Sequence, residues 1–271
     1  MTPLYISWNP DEMAFNLGFL SFRWYSLCWL IGLILAYIIV KKLYKEAKIT
    51  DELFDPLFIY CFLGILIGAR LGHCLFYGWV NTPNGLVNTY LQHPSSLIKI
   101  WEGGLSSHGG ACGILIAMAL FNQFVSKKGF IWIFDRLVPA VAFCGACIRF
   151  GNLTNSEIYG IPTDLPWGFI FVRDGQTIPC HPTQLYEVTY CIITLAVCSY
   201  LYWKRHAYTN RGLIFGTFLI IVFVTRFLLE FIKNDQEAFE QSMTLNMGQI
   251  LSIPFILWGI YLLFQANRRK G

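Results

Sequence analysis

Four arginines and several other ionisable residues lie inside or beside strongly apolar stretches of this sequence. An ionised side chain in such a setting is costly, so it is usually paired or functional. Guanidinium groups present forked donors that match phosphate geometry, and an imidazole can accept a proton near neutral pH. This combination predicts a site that holds an anionic group and moves a proton. The residues concerned are Arg23, Arg70, Arg149, Arg226, His73, His108, Glu187 and Glu230.

The elements that carry these residues are predicted to be membrane helices. Of the 271 residues, 55% are hydrophobic and 13% are charged, and the mean hydropathy is +0.51. Soluble domains carry about 25% charged residues. The composition therefore excludes disorder, a fibrous repeat and an ordinary water-soluble fold. The net charge is +4, but the basic residues form no stripe or patch along the sequence. No nucleic-acid partner is therefore expected.

Seven apolar stretches are long enough to cross a bilayer, which needs roughly 20 helical residues. We therefore predict an all-α, polytopic membrane protein that forms one integral membrane domain over residues 1–271. The stretches are Gly18 to Val40, Leu57 to Tyr77, Leu105 to Val125, Ile131 to Ile148, Leu185 to Trp203, Leu213 to Ile232 and Met247 to Gln265.

Basic residues indicate the orientation of these stretches. Twelve lysines and arginines follow the first, third, fifth and seventh stretches, whereas the opposite loops hold Lys99, Arg173 and Lys233. The positive-inside rule then predicts an outer N-terminus and a cytoplasmic C-terminus. Two outer segments are too long for turns. We expect an outer-surface arm at 78–104 and a small extracytoplasmic cap at 151–184.

The four arginines then share one level, near the outer ends of their stretches, with few carboxylates at that depth. Such an electropositive site suits an anionic phospholipid headgroup, which reaches that depth by lateral diffusion. A simpler interpretation stays open for each arginine. Arg23 and Arg149 can extend toward water, and Arg226 can pair with Glu230 four residues later on its helix.

Short motifs in order along nearly the whole chain resemble those of the prolipoprotein diacylglyceryl transferase family. Several positions depart from the family pattern, among them Ser107, Leu153-Thr154, Ser156, which replaces a glycine, and Lys233, which stands where an arginine is common. The matching motifs are Arg23-Trp24-Tyr25, Gly68-Ala69-Arg70-Leu71-Gly72, Glu102-Gly103-Gly104, Ser107-His108-Gly109-Gly110, Arg149-Phe150-Gly151-Asn152, His181 to Glu187, Arg226-Phe227 with Glu230-Phe231, and Gly248-Gln249.

The resemblance implies an enzyme that transfers the diacylglyceryl group of phosphatidylglycerol to the lipobox cysteine thiol of a preprolipoprotein signal peptide. A thioether forms and glycerol 1-phosphate leaves, as the first step of bacterial lipoprotein maturation. The expected partners are phosphatidylglycerol, the signal peptide and membrane lipids. The expected location is the bacterial cytoplasmic (inner) membrane, with the active site toward the outer leaflet. No cofactor is implied.

Roles for individual residues follow from this chemistry. His108 is expected to take the thiol proton or to orient the phosphate, while Arg149 and Arg226 neutralise the leaving phosphate. Glu230 is expected to position Arg226. No metal site is expected, because the histidines and acids lack ligand spacing. The predicted phospholipid-binding residues are Arg149, Asn152, Glu157, Tyr25, Arg70, Gly109 and Gly110.

Two alternative functional classes remain open for this sequence. An anionic lipid transporter or flippase would place charges near the midplane of repeated halves. An intramembrane protease would pair Ser106 or Ser107 with His108, although helix neighbours do not face each other.

His181 and Glu187 are expected to link the cap to the fifth stretch. A glycine at every fourth position predicts close helix packing at Gly64, Gly68 and Gly72.

Overall fold

The structure is a computed structural model that describes residues 5–18, 21–76, 79–82, 85–99, 104, 106–234 and 244–269. For residues 79–82, 85–86 and 107–108 it describes the backbone alone. The chain forms two compact units. The first comprises Met1–Leu43 with Phe134–Gly271, and the second comprises Tyr44–Ile133.

Long helices dominate both units. Seven helical segments of the described chain are long and apolar enough to cross a membrane, which confirms the predicted polytopic all-α class and its seven spans. The long helices are α1 (Trp24–Glu46), α2 (Asp51–Phe76), α4 (Ser107–Phe121, continued by a π-helical turn Asn122–Ser126), α5 (Phe130–Thr154), α6 (Thr183–Trp203), α7 (Leu213–Leu229) and α8 (Met247–Arg268). A short helix, α3 (Thr89–Gln92), precedes α4. The orientation of the spans stays a prediction.

Several helix ends differ from the predicted stretches, and two of them concern the candidate site residues. The first span begins at Trp24 instead of Gly18, because β2 (Met13–Asn16) and β3 (Ser21–Arg23) pair as an antiparallel hairpin before it. The fourth span continues to Thr154 instead of ending at Ile148. Arg149 and Asn152 therefore lie on α5 itself, and the first residues assigned to the cap are helical.

The N-terminal segment contributes to the first unit through a strand that hydropathy did not predict. β1 (Ile6–Trp8) pairs in parallel with β6 (Phe169–Phe171), which belongs to the expected cap. The indole nitrogen of Trp8 also donates to the carbonyl oxygen of Leu153 at 2.9 Å. These contacts hold the cap against the end of α5.

In the second unit, α2 and α4 are in close contact through glycines. A Cβ added at Gly64 would lie 2.5 Å from the Cβ of Ala117, and one at Gly72 would lie 2.6 Å from the Cα of Gly109. No larger side chain fits between backbones at this distance. The predicted close packing of the glycine row is confirmed.

The described part of the expected arm contains a hairpin and helical turns. β4 (Trp79–Thr82) pairs with β5 (Gly85–Asn88), and α3 and a 3-10 turn at Pro94–Ile98 follow. The side chain of Asn88 joins this segment to α2, because its amide nitrogen donates to the carbonyl oxygen of Cys74 at 2.8 Å. The position of the arm on the outer surface stays a prediction.

Candidate active site

Arg149 lies on α5 and forms an ion pair with Glu187 of α6. The Nε atom is 3.0 Å from a carboxylate oxygen, and the side chains are 20% and 2% exposed. Nη1 lies 3.4 Å from the amide oxygen of Asn152, and within the described residues Nη2 makes no hydrogen bond. One guanidinium nitrogen is therefore unengaged, the side chain keeps a fifth of its surface exposed, and its counter-charge is buried.

Arg226 pairs with Glu230 one helical turn later. Their charged atoms are 3.5 Å apart, and the side chains are 24% and 7% exposed. The second oxygen of Glu230 accepts a hydrogen bond of 3.1 Å from the side-chain amide of Asn246. The local pair expected from the spacing is present, and an asparagine just before α8 supports the carboxylate.

Lys233 connects the two ion pairs. Its ammonium nitrogen is 3.3 Å from Glu187 and 3.6 Å from Glu230, and its side chain is only 2% exposed. Burial lowers the pKa of this ammonium below its ordinary value, against the opposing effect of the two carboxylates. We call this chain of five charged groups, Arg149, Glu187, Lys233, Glu230 and Arg226, the ionic network.

The ionic network has a buried centre and accessible ends. Three cations and two carboxylates give it a net charge of +1. Its middle members are buried, whereas Arg149 and Arg226 at the ends keep about a fifth to a quarter of their side chains exposed. An anion approaching from outside would therefore meet guanidinium groups before carboxylates.

Asn152 and Glu157 extend the network at the Arg149 end. The amide nitrogen of Asn152 donates to Glu157 at 2.6 Å, while its oxygen faces Arg149. The side chain of Gln184 donates to the backbone carbonyl of Glu157 at 2.7 Å and fixes that segment against α6. Asn152 therefore stands between a cation and a carboxylate, which is the arrangement that orients Arg149.

The cap positions Lys233 through its backbone. Gly160 forms an antiparallel bridge with Lys233, and the Ile161 amide donates to the carbonyl of Ile232 at 3.0 Å. A Cβ at Gly160 would overlap the same carbonyl oxygen and would lie 2.8 Å from the Cβ of His181. Gly160 must therefore be a glycine, because the cap crosses the chain here just after α7.

Gly248 gives Glu230 its space. A Cβ added there would lie 2.5 Å from the carboxyl carbon of Glu230. The neighbouring turn is fixed by a capping box, in which Asn246 and Gln249 bond each other's backbone amides at 2.9 and 3.1 Å. The same asparagine therefore caps α8 and holds the carboxylate of Glu230.

Arg23 lies apart from the ionic network, at the N-terminal hairpin. Glu12 pairs with Arg23 at 3.4 Å and with Arg173 of the cap at 2.5 Å. Arg23, Arg149 and Arg226 therefore each have an acidic partner, which is more pairing than the sequence led us to expect. Glu12 was not singled out because it precedes the first span, and the pairing of Arg149 with Glu187 was not predicted because the two residues lie on different helices.

Tyr25 lies in the first turn of α1, against α5. A Cβ at Gly151 would come within 2.9 Å of the Tyr25 ring, so the glycine permits this close contact. The tyrosine side chain is half-buried and, among the described residues, makes no hydrogen bond. Its predicted contact with a headgroup stays a prediction.

Arg70 belongs to the second unit, where it binds its own polypeptide chain. Its guanidinium donates to the carbonyl oxygens of Ser96, Leu97 and Gly104 at 2.5, 3.0 and 3.2 Å. It also lies over the Tyr90 ring at 5.2 Å. Through these bonds, Arg70 holds the segment between α2 and α4 in place. Its predicted binding of a phospholipid stays a prediction.

His108 occupies the second position of α4, and its side chain lies outside the described residues. The helix begins at a serine cap, since the Ser106 hydroxyl accepts from the Gly109 amide at 3.3 Å. Gly109 contacts Gly72 of α2, while a Cβ at Gly110 would meet only ordinary contacts of 3.6 Å or more. Gly109 thus serves helix packing, and a lipid contact at either glycine stays a prediction.

Sequence reasoning missed the centre of the ionic network. Lys233 was read as a loop residue and Glu187 as a structural link, and Asn246 was not singled out. The only sequence signal for Lys233 was its place in a family motif that commonly has arginine. Within the described residues, no group of three or more histidine, cysteine or acidic side chains is arranged to hold a metal ion.

Seven apolar helices and an ionic network anchored in three of them define a polytopic membrane protein with a charged site inside its helical region. Residues 12–265 match the family model described as prolipoprotein diacylglyceryl transferase. The chain therefore belongs to the prolipoprotein diacylglyceryl transferase family and is a membrane transferase, which confirms the resemblance seen in its motifs.

Similar proteins cover nearly the full length of the chain. One from Porphyromonas gingivalis is 44% identical over 97% of this chain and 95% of its own length. Others from Bacteroides fragilis and Chloroherpeton thalassium are 42% and 39% identical, each over 99% of this chain. All three are named phosphatidylglycerol--prolipoprotein diacylglyceryl transferase. Membership of this family disfavours the transporter and protease alternatives.

Proposed function

We propose that this protein transfers the diacylglyceryl group of phosphatidylglycerol to the cysteine thiol of a prolipoprotein lipobox. The sulfur forms a bond to the terminal glyceryl carbon while the bond from that carbon to the phosphate oxygen breaks. The thiol proton passes to a base, and the electron pair leaves on glycerol 1-phosphate. The products are a thioether-linked diacylglyceryl peptide and the free phosphomonoester.

The observation that carries this proposal is the asymmetric exposure of the ionic network. Arg149 and Arg226 are its accessible ends, at 20% and 24% exposure, and their carboxylate partners are buried. A lipid phosphate can therefore accept hydrogen bonds from both guanidinium groups without displacing Glu187 or Glu230. Preorganised donors of this kind contribute about 3 kcal/mol each when charge develops on a leaving group.

The buried carboxylates have a positioning task in this proposal. An arginine side chain has many rotamers, and fixing it in advance removes that entropy from the binding step. Glu187 holds Arg149 through Nε, which leaves Nη2 available to an incoming oxygen. Glu230 holds Arg226 through Nη2 instead, at 3.5 Å, from one helical turn later in the chain.

His108 is assigned the thiol proton. A free cysteine thiol is mostly protonated at neutral pH, whereas an imidazole ordinarily titrates near pH 6.5 and can act as the base. It occupies the second position of a helix whose next two residues are glycines. The alternative role, orienting the phosphate, predicts a different pH dependence.

The proposed location is the bacterial inner membrane, with the reaction at the outer leaflet. The argument is the distribution of lysine and arginine, which favours the ends of α1 and α6 as cytoplasmic and therefore the Arg149 end of α5 as outer. The proposed partners are the outer-leaflet phospholipid and a signal peptide whose lipobox cysteine lies at that depth.

The direct test uses detergent-solubilised full-length protein, phosphatidylglycerol and a synthetic lipobox peptide. The expected result is stoichiometric glycerol phosphate and a peptide that gains the mass of one diacylglyceryl group. A peptide with serine in place of the cysteine should give neither product. Glycerol phosphate release without peptide modification would contradict the proposed transfer.

A further inference from the structure

A second polar site lies at the opposite end of α7 from the ionic network. A cavity of about 330 Å³ is lined by Thr209, Asn210, Arg211 and Arg269. The first three belong to the turn that leads into α7, and Arg269 directly follows α8. Arg226 is in the last turn of α7, so a helix rising 1.5 Å per residue separates the two sites by roughly 20 Å.

The cavity is lined by two cations and no acid. Within the described residues, Arg211 makes no hydrogen bond or ion pair. In the same described part of the chain, the guanidinium of Arg269 donates only to the side chain of Gln265, at 3.3 Å. The nearby carboxylate of Asp135 is committed elsewhere, because it accepts the backbone amides of Gly212 and Phe215 at 2.8 and 2.9 Å.

Asn210 adds an acceptor that lacks a donor. This side chain is only 9% exposed, and its amide nitrogen donates to the carbonyl of Ala266 at 2.9 Å. That bond fixes which amide atom is oxygen, because a carbonyl can only accept. The amide oxygen is buried and has no partner in the described part of the chain. A buried acceptor without a donor is costly, so a ligand that supplies a hydroxyl would stabilise it.

An apolar surface runs along the adjoining helix. Leu257, Tyr261 and Phe264 recur at the spacing of one helix face on α8 and are 62%, 54% and 55% exposed. Arg268 lies over the Phe264 ring at 4.7 Å, which places a further cation where this apolar row ends. Acyl chains can lie along such a row while a headgroup stays among the arginines, whereas a free phosphate would gain nothing from it.

We propose that this cavity binds the headgroup of an anionic phospholipid that also carries a hydroxyl group. The phosphate accepts hydrogen bonds from Arg211 and Arg269, and a headgroup hydroxyl donates to the oxygen of Asn210. The basic residues at this end of α7 and α8 favour the cytoplasmic leaflet. The site is separate from the ionic network and does not depend on the proposed reaction.

The test counts the lipids retained by the full-length protein in native mass spectrometry with added phosphatidylglycerol. The double variant Arg211→Gln with Arg269→Gln should retain one lipid fewer than the unaltered protein. The same loss is expected in an Arg149→Ala background, which separates this site from the proposed substrate site. Arg205→Gln, in the same loop between α6 and α7 but outside the lining, is the matched control and should retain all lipids.

Three probes define the ligand. Phosphatidylmethanol has the same charge but no headgroup hydroxyl, and it should bind about fivefold more weakly, the effect of one hydrogen bond. Phosphatidylcholine should not occupy the site. Displacement of the lipid by millimolar inorganic phosphate would overturn the assignment to a lipid, and unchanged lipid counts in the double variant would overturn the site. A lipid-induced rise in the melting temperature of the unaltered protein provides a measurement that needs no variant.

Discussion

Glu187 and Lys233 lie 46 residues apart in the sequence, and their charged groups are 3.3 Å apart in an almost completely buried contact. Glu187 comes from α6, and Lys233 directly follows the 3-10 turn that ends the sixth span, after α7. A buried pair is weak evidence of net stabilisation, because desolvation offsets the attraction. Its consequence here is geometric, since Glu187 also contacts Arg149 and Lys233 also contacts Glu230, so the contact joins the two ion pairs.

Replacing Lys233 with methionine is expected to disable the enzyme and to lower its stability. Two carboxylates would then face each other in a buried space without their shared cation, at a cost of about 3 kcal/mol in the free energy of unfolding. Lys233→Arg keeps the charge and should retain most activity. The measurements are the melting temperature in detergent and the turnover of a lipobox peptide. A fully active methionine variant would show that the network does not depend on this cation.

Gly248→Ala is expected to reduce turnover by about a hundredfold, the effect of a misplacement near 1 Å. The new methyl group would lie 2.5 Å from the carboxyl carbon of Glu230 and must displace it from Asn246 or Arg226. Gly145→Ala on α5 is the control, because its nearest contact would be the Cys191 sulfur at 3.2 Å. Equal kcat values for both variants would argue against a positioning role for Glu230.

Hydropathy and local spacing predict much of this molecule. The seven spans follow from stretches of apolar residues, and the Arg226–Glu230 pair follows from their separation of one helical turn. Contacts between distant segments carry no such local signal. The pairing of Arg149 with Glu187 depends on how α5 meets α6. The parallel strand near the N-terminus likewise depends on a partner strand in the cap.

Lys233 shows the limit of the loop interpretation. A lysine after a hydrophobic stretch ordinarily indicates a solvated loop, and the positive-inside count treated it so. Burial arises because the cap crosses this residue at Gly160, where the backbone amides of Ile161 and Asn234 donate to the carbonyls of Ile232 and Tyr159. The position of the cap over Lys233 depends on how the chain folds between α5 and the end of α7, which local spacing does not predict. Only the family motif pointed to the position, since it commonly places a cation there.

Ser156→Gly is expected to stabilise the protein by about 1 kcal/mol. Ser156 has φ of +55°, a left-handed conformation that costs a side-chain-bearing residue about 1–2 kcal/mol. Its buried hydroxyl also has no hydrogen-bond partner in the described part of the chain. The greater entropy of glycine in the unfolded chain offsets part of the gain. Thermal unfolding in detergent is the measurement.

Ser156→Ala is the matched control for this prediction. It removes the unpartnered hydroxyl but keeps the Cβ and its backbone strain, so its melting temperature should lie below that of the glycine variant. Equal melting temperatures would mean that the backbone conformation contributes nothing and that the hydroxyl accounts for the whole effect.

His108→Asn is expected to lower kcat/KM by a factor of about 10² to 10⁴ at neutral pH, the usual contribution of a general base. If His108 takes the thiol proton, the deficit must shrink as the pH rises past about 8.5, because the substrate thiol then ionises without help. If His108 orients the phosphate instead, the deficit should stay constant over this range. Parallel pH profiles for the unaltered enzyme and the variant would therefore exclude base catalysis by His108, and converging profiles would exclude a purely orienting role.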